Sequence, residues 1–456
     1  MNWKDWFSGD RPPASTAEAW LPMLDARSGH SRQEAVEALG KLRAPAALPG
    51  LLARVNDWVP QVRRVAGIAV RGFLTDDRLE AWPAALPALA DVLRGQRADH
   101  GPLLATIADF LVAPDRLRRL ADVRGTLPPV VGRWLDTVEW RAASPVERPA
   151  LLSGRLCSAD IVTARWALER IEDLPGGPAR SALWLAACDS PTDPVRAHAL
   201  RRLCDTTPEL GTATAQRLAL DPRGGVRDVA LAFLRRSGGT DAVRVVAESQ
   251  LQAQALVGAP HGGVPAFAFL AAVDPASTPV RAERLLALAG DVGPKAPLRA
   301  VALDHLIRAS TDDRQQHWLR CALGDASPRV QRVAAESVGR GVPGLSPAEL
   351  WPLVMAHGHV VALRRGLTMS RSWGLWTQFG ALLDLTRQPL PEGGADALLH
   401  AIERWEVSTR LGVSAPGEPQ AGRLREQWRD ASPVLPPALR ARLSFALSTC
   451  GLLTAR

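Results

Sequence analysis

His357 and His359 stand one residue apart and are the one close pair of histidines in the chain. Two imidazoles can start a zinc or copper site, but a closed site needs further nitrogen, sulfur or carboxylate ligands. No Cys, Asp or Glu lies within a few residues of them. The five cysteines (Cys157, Cys188, Cys204, Cys321, Cys450) are odd in number and widely spread, and none forms a CxxC pair. Neither a disulfide framework nor a zinc site is expected from them. They read as small core residues, with no histidine placed to activate a thiol. GxGxxG occurs once, at Gly339, Gly341 and Gly344, with Pro343 inside it. It follows a helical pattern rather than a strand, so it reads as a helix stop and turn. The phosphate-binding GxxxxGK[ST] and the nucleophile elbow GxSxG are absent. These residue types therefore predict no catalytic centre, no metal and no cofactor.

The elements that would carry any site repeat. Val195, Ala199 and Leu203 recur as Val226, Ala230 and Leu234, and each Val is followed by Arg (Arg196, Arg227). Spacing of i, i+4, i+8 puts each triplet on one helical face. The same face is carried by Ser31, Ala35 and Leu39, by Val62, Ala66 and Val70, and by Thr163, Ala167 and Ile171. It returns in Leu298, Ala302 and Leu306 and in Val330, Ala334 and Val338. A second helix follows each first one, as at Ala46–Val55 and Ala84–Leu93. The alanine at the centre of each face lets neighbouring helices approach closely, and Val and Leu fill the gaps. Gly40 reads as a helix stop. Asp193-Pro194, Thr278-Pro279 and Ser327-Pro328 read as an N-cap followed by proline in the first turn.

Two stretches are less regular. Residues 94–156 keep the face in Leu103, Ile107 and Leu111 and in Val130, Trp134 and Val138, with prolines between the helices. Residues 252–295 hold a Gly/Pro-rich loop (Gly258–Pro265), a face of Val264, Ala268 and Ala272, and a second helix Val280–Ala289. Residues 1–27 read as a capping segment whose Trp3, Trp6 and Phe7 share a helical turn. Beyond 355 the pattern fades. Residues 356–456 read as atypical helical repeats or a cap, with helices at Ala395–Arg410 and Pro436–Leu447 and with Trp373, Trp376, Trp405 and Trp428.

Asp221 with Val226-Arg227, Ala230 and Leu234 resembles the HEAT repeat, and the short step is most similar to bacterial HEAT-like repeats related to those of phycobilin lyases. The likeness covers residues 28–355, about ten repeats. It implies an all-α fold, a right-handed α-solenoid of stacked antiparallel helix pairs. It also implies an Asp-to-Arg hydrogen-bond ladder between adjacent repeats, onto which Asp57, Asp189, Asp221 and Asp325 and Arg63, Arg196, Arg227 and Arg299 fall. Gln331 replaces the Arg in one unit, and Arg165 is displaced by one position in another. A metal hydroxylase of the HEAT kind would need repeated His-Glu pairs, and no His here is followed by Glu. HEAT-like DNA glycosylases use Trp and Asp on a basic face. Trp134 and Asp136 are the candidates, and no extended match accompanies them.

The net charge is +8 and the pI about 10.1, which invites a nucleic-acid reading. Three lysines (Lys4, Lys41, Lys295) against abundant Arg, Ala and Gly are what a GC-rich genome writes, and acids are interspersed throughout. The N-terminus lacks a long apolar core and no 18-residue apolar run follows, so a cytoplasmic protein without a membrane span is expected. Basic residues recur near the ends of first helices: Lys41 and Arg43, Arg71, Arg170, Arg201, Arg202, Arg235, Arg236, Arg308 and Arg340. A cation there complements the helix dipole. Stacking would also align these residues into a ridge beside a concave face. The expected function is a non-enzymatic scaffold gripping a protein with an acidic surface. The alternative is a nucleic-acid binder or glycosylase.

Overall fold

The computed structural model describes residues 16–95, 97–257, 263–288, 295–409 and 415–453. Trp3, Trp6 and Phe7, with most of the expected capping segment, lie outside them, as do 258–262 of the Gly/Pro-rich loop. Every regular element among the described residues is an α-helix or a short 3-10 turn, so the chain is an all-α stack of solenoid type. Cα packing divides it into two units, Met1–Thr214 and Ala215–Arg456.

In the first unit the helix Gly29–Leu42 packs on the next first helix, Pro60–Arg71, and the second helix Leu48–Val55 packs on both Pro60–Arg71 and Leu89–Arg94. Further along, Ile161–Ile171 packs on Asp193–Thr206, while Arg148–Leu156 packs on Pro178–Ala187. The second unit repeats the plan. First helices Ala296–Ala309, Pro328–Gly339, Val360–Met369, Gly394–Thr409 and Pro437–Thr449 stack in order. Asp312–Gly324 packs on Pro347–Met355, and Leu375–Leu385 on Gln420–Ala431. Each stack is thus two layers, first helices against first and second against second.

The repeated faces form the seams between layers. Ala35, Ala66, Ala199, Ala230, Ala302 and Ala334 are fully buried, and the Val and Leu residues flanking them are buried too. Leu103, Ile107 and Leu111 keep the expected register without the Val-Arg mark, but in two other unmarked helices the register differs from the sequence reading. In the helix Pro129–Ala142 the core side is Val131, Leu135 and Val138, one position from Val130 and Trp134. In Gly263–Val273 it is Ala266, Phe267, Phe269 and Leu270 rather than Val264, Ala268 and Ala272. That helix is apolar on nearly every side, so periodicity alone cannot select a face.

Gly40 does not stop its helix, which runs on to Leu42. A Cβ at Gly40 would come within 2.9 Å of Ala69 Cβ, so the glycine serves close approach of two first helices. Gly339 does end its helix, and Gly341 takes φ 96° in the turn beyond. The described residues beyond 355 share one apolar core with 300–355. Among the described residues no helix is long and apolar enough to cross a membrane.

Candidate functional site

The polar groups at the repeat junctions follow one local rule. Arg32 Nη1 donates to the carbonyls of Ala26 (2.8 Å) and Arg27 (3.1 Å), six and five residues back. Arg63 does the same to Asp57 (2.8 Å) and Trp58 (3.2 Å), and Arg196 to Ser190 (2.8 Å) and Pro191 (3.2 Å). Arg227 donates to the Asp221 carbonyl at 2.7 Å. Each arginine therefore clamps the loop entering its own helix. In two repeats the arginine also reaches the neighbouring one. Arg32 Nε and Nη2 form a fork on Asp57 Oδ2 and Oδ1, both at 2.9 Å, and Arg299 makes the same fork on Asp325 at 2.8 and 2.9 Å. The carboxylate also closes its own turn. Asp57 Oδ1 accepts from Val59 N, Asp221 Oδ1 from Arg223 N and Asp325 Oδ1 from Ser327 N.

That turn explains why the capping expected of Asp193, Thr278 and Ser327 does not appear. No side-chain cap bond forms at these helix starts. At the first and third the acceptor comes instead from the residue two positions before the N-cap, Ser190 and Asp325, and at the second from Asp274 Oδ1, three positions before Ser277, which accepts from Ser277 N at 3.3 Å. In the Val195 unit the clamped carbonyl belongs to Ser190, one residue after Asp189. Ser190 Oγ accepts from Thr192 N (3.4 Å) and donates to the Leu156 carbonyl (2.8 Å). Gln331 occupies the arginine slot of its repeat. Its Nε2 holds the Asp325 carbonyl at 2.9 Å, and its Oε1 accepts from Arg365 of the following repeat at 3.0 Å. The rung survives there with its donor on the other side. Burial, with Arg332 nearby, pulls the Arg365 guanidinium below its usual range.

Arg32 was not legible as a ladder member because Ser31, not Val, precedes it. Arg133 was missed as well. From within the irregular stretch it reaches Asp160 Oδ2 at 3.2 Å, just beyond that stretch, and Asp160 also caps the helix Ile161–Ile171. The offset of 27 residues, close to the Arg32–Asp57 offset, was the available signal.

Burial is the largest influence on Asp57 and works to raise its pKa. The hydrogen bonds from Arg32 and Val59 N, with the charges of Arg32 and Arg54, outweigh it and hold the carboxyl below the usual range. Asp136 shows the opposite balance. Burial raises its pKa although Arg124 and Arg155 both contact it. The same two arginines bond Glu139, which closes a four-residue ion cluster. Asp136 is thus committed within the protein, and Trp134 packs against the first unit's core.

The other chemical candidates are similarly occupied. His357 Nε2 donates to the Leu323 carbonyl at 2.6 Å, and His359 Nδ1 accepts from Ala362 N as a helix cap. Cys188 and Cys204 are buried. One cysteine does have a histidine beside it: His317 Nε2 is 3.6 Å from Cys321 Sγ, four residues away and therefore one helical turn. Burial pushes the Cys321 thiol up, so at neutral pH it stays protonated and is a weak nucleophile.

The ridge arginines divide into two groups. Arg170 pairs with Asp173 (2.8 Å), Arg202 Nε with Glu172 (2.6 Å) and Arg308 with Asp304 (2.7 Å). Arg340 pairs with the same Asp304 (2.5 Å), and Arg235 donates to the Ala272 carbonyl (2.5 Å). Arg71, Arg201 and Arg236 are exposed, and among the described residues no carboxylate lies within ion-pair distance of them. Arg201 and Arg202 sit a turn before the end of their helix, which runs to Thr206, so the helix dipole acts on them weakly.

No family model matches the chain, and no curated protein matches it. Among solved structures it is similar to the karyopherin Kap121p bound to the extreme C-terminus of the protein phosphatase Cdc14p. Identity is 14% and the TM-score 0.25, over 90% of this chain and 46% of that one, so the chain spans less than half the length of that match. The described residues form helix pairs stacked in two layers with clamped junctions, consistent with a HEAT-like repeat protein.

Proposed function

We propose that the chain is a non-enzymatic protein–protein interaction scaffold that holds an acidic partner through exposed arginines on its first helices. The observation that supports this reading is that the recurring arginines of the first helices divide into paired and unpaired ones. Arg71, Arg201 and Arg236 are exposed and uncompensated among the described residues, while the candidate catalytic groups are bound up in structural contacts. A desolvated or buried arginine must be paired, but an exposed unpaired one attracts anionic surfaces and speeds encounter. On this reading residues 1–27 and 356–456 cap the two ends of the repeats, and the likeness to phycobilin-lyase-related repeats concerns the scaffold alone.

The test uses the triple variant Arg71→Glu, Arg201→Glu and Arg236→Glu, which spares the structural pair of Arg202 with Glu172. Fluorescent polyglutamate is expected to bind the parent chain and to lose about tenfold or more in affinity with the variant. Unchanged affinity would sink the reading. The nucleic-acid alternative rests on the high pI. It predicts a different winner: duplex DNA would bind more tightly than polyglutamate, with log affinity falling by about 0.9 per contacted phosphate for each tenfold rise in salt.

A further inference from the structure

A groove of about 590 Å³ lies in the second unit between the helices Thr240–Val257 and Thr278–Ala287. Leu251, Leu270 and Leu285 form its buried floor. Val280 and Leu288 stand on its rim, 59% and 45% exposed. The residues that Thr278–Ala287 contributes follow the spacing of one helical face from Val280 to Leu285, and Ser277 and Leu288 extend that wall beyond its two ends. The wall therefore spans about three turns, or roughly 16 Å.

The lining decides what can enter. An extended peptide laid on leucine would strand its backbone N–H and C=O groups without partners. A helix satisfies those groups internally, and its side-chain ridges fit the furrow between two other helices. Charge then orients the occupant. Arg281 is already held by Asp274 at 2.8 Å, with Glu248 at 3.9 Å. Arg284, one turn along, is exposed and has no carboxylate at ion-pair distance among the described residues.

We propose that this groove receives an amphipathic helix of a partner protein, with apolar side chains seated on Leu251, Leu270 and Leu285 and a carboxylate on its flank paired to Arg284. The inference rests on the protein-binding reading above and names a second, separate contact for it. The irregular stretch of the repeat series thereby becomes a binding element.

The experiment uses the full chain and a labelled model peptide about four turns long, with leucines at i, i+3 and i+7 and one flanking glutamate. A matched peptide carries lysine in place of the glutamate. The glutamate peptide is expected to bind saturably by anisotropy, with the lysine peptide about tenfold weaker. Arg284→Glu should reverse that order, and Val280→Asp should weaken both. Arg284 is exposed, so its variant should keep the parent's circular dichroism. An unchanged preference with Arg284→Glu overturns the proposal. So does equal binding by a peptide whose helix is broken with proline, or binding of neither peptide. The polyglutamate assay separates the two readings. Failure of the groove alone leaves polyglutamate binding intact, whereas failure of the scaffold reading abolishes the effect of the arginine triple variant.

Discussion

Replacing Arg32 by methionine is expected to destabilise the first unit by about 3–5 kcal/mol, the cost of breaking a buried ion pair from one side. Both partners are 3% exposed, so solvent cannot take over the lost contacts. The change leaves the carbonyls of Ala26 and Arg27 without their donor and Asp57 with only Arg54 and Val59 N. Methionine keeps the length of the side chain, which confines the loss to its polar end. The double variant Arg32→Met, Asp57→Leu should recover part of the stability, because it removes the stranded charge as well as its partner. Urea denaturation of the four chains of that cycle gives the coupling. A single-variant loss under about 1 kcal/mol would show that Arg54 alone suffices for Asp57.

The same pair fixes an acid limb. The pKa of Asp57 is depressed in the folded chain, so its contribution is fully present above the ordinary carboxylate range. It is lost as pH falls through the lower folded value. Arg32→Met should flatten the stability profile in that acid window and leave the neutral region parallel to the parent.

Phe379→Ala should cost the second unit about 3–5 kcal/mol. Phe379 is fully buried and stacks on Trp405 with ring centroids 3.9 Å apart and planes 14° from parallel. Trp428 lies 6.5 Å away on a near-parallel plane, and Trp376 and Trp405 meet edge-on at 5.7 Å. The indole N–H groups are anchored as well: Trp405 Nε1 donates to the Leu375 carbonyl and Trp373 Nε1 to the Leu345 carbonyl, both at 2.8 Å. A cavity opened between such fixed rings cannot collapse, which places the loss high in the usual range. The near-UV dichroism of the tryptophans should change with it. Ile68→Ala serves as control, since Ile68 is 62% exposed and its loss should stay within about 0.5 kcal/mol. Equal melting of the two variants would remove Phe379 from the core.

These tryptophans show where sequence reading stops. Their positions were visible, but no fixed step links Trp376, Trp405 and Trp428, so the meeting of these three around Phe379 was not. The repeated Val, Ala and Leu faces were legible because each is local: three residues within one helix decide which side is apolar. Where the mark is missing, as around Val131 or Phe267, several registers satisfy the same period and packing selects among them.

By itself, then, the sequence determined helices, pairing of helices into repeats and the absence of the common catalytic motifs. Those properties depend on neighbours within a turn or two of chain. Only the tertiary structure decided that Arg32 serves Asp57 across 25 residues, that Ser190 holds the slot written for Asp, that Gln331 accepts from Arg365, and that Asp136 is enclosed by two arginines. It also decided which cations remain unpaired and where a groove opens between two helices. Each of these depends on distances between residues far apart in the chain, and helical periodicity carries no record of such distances.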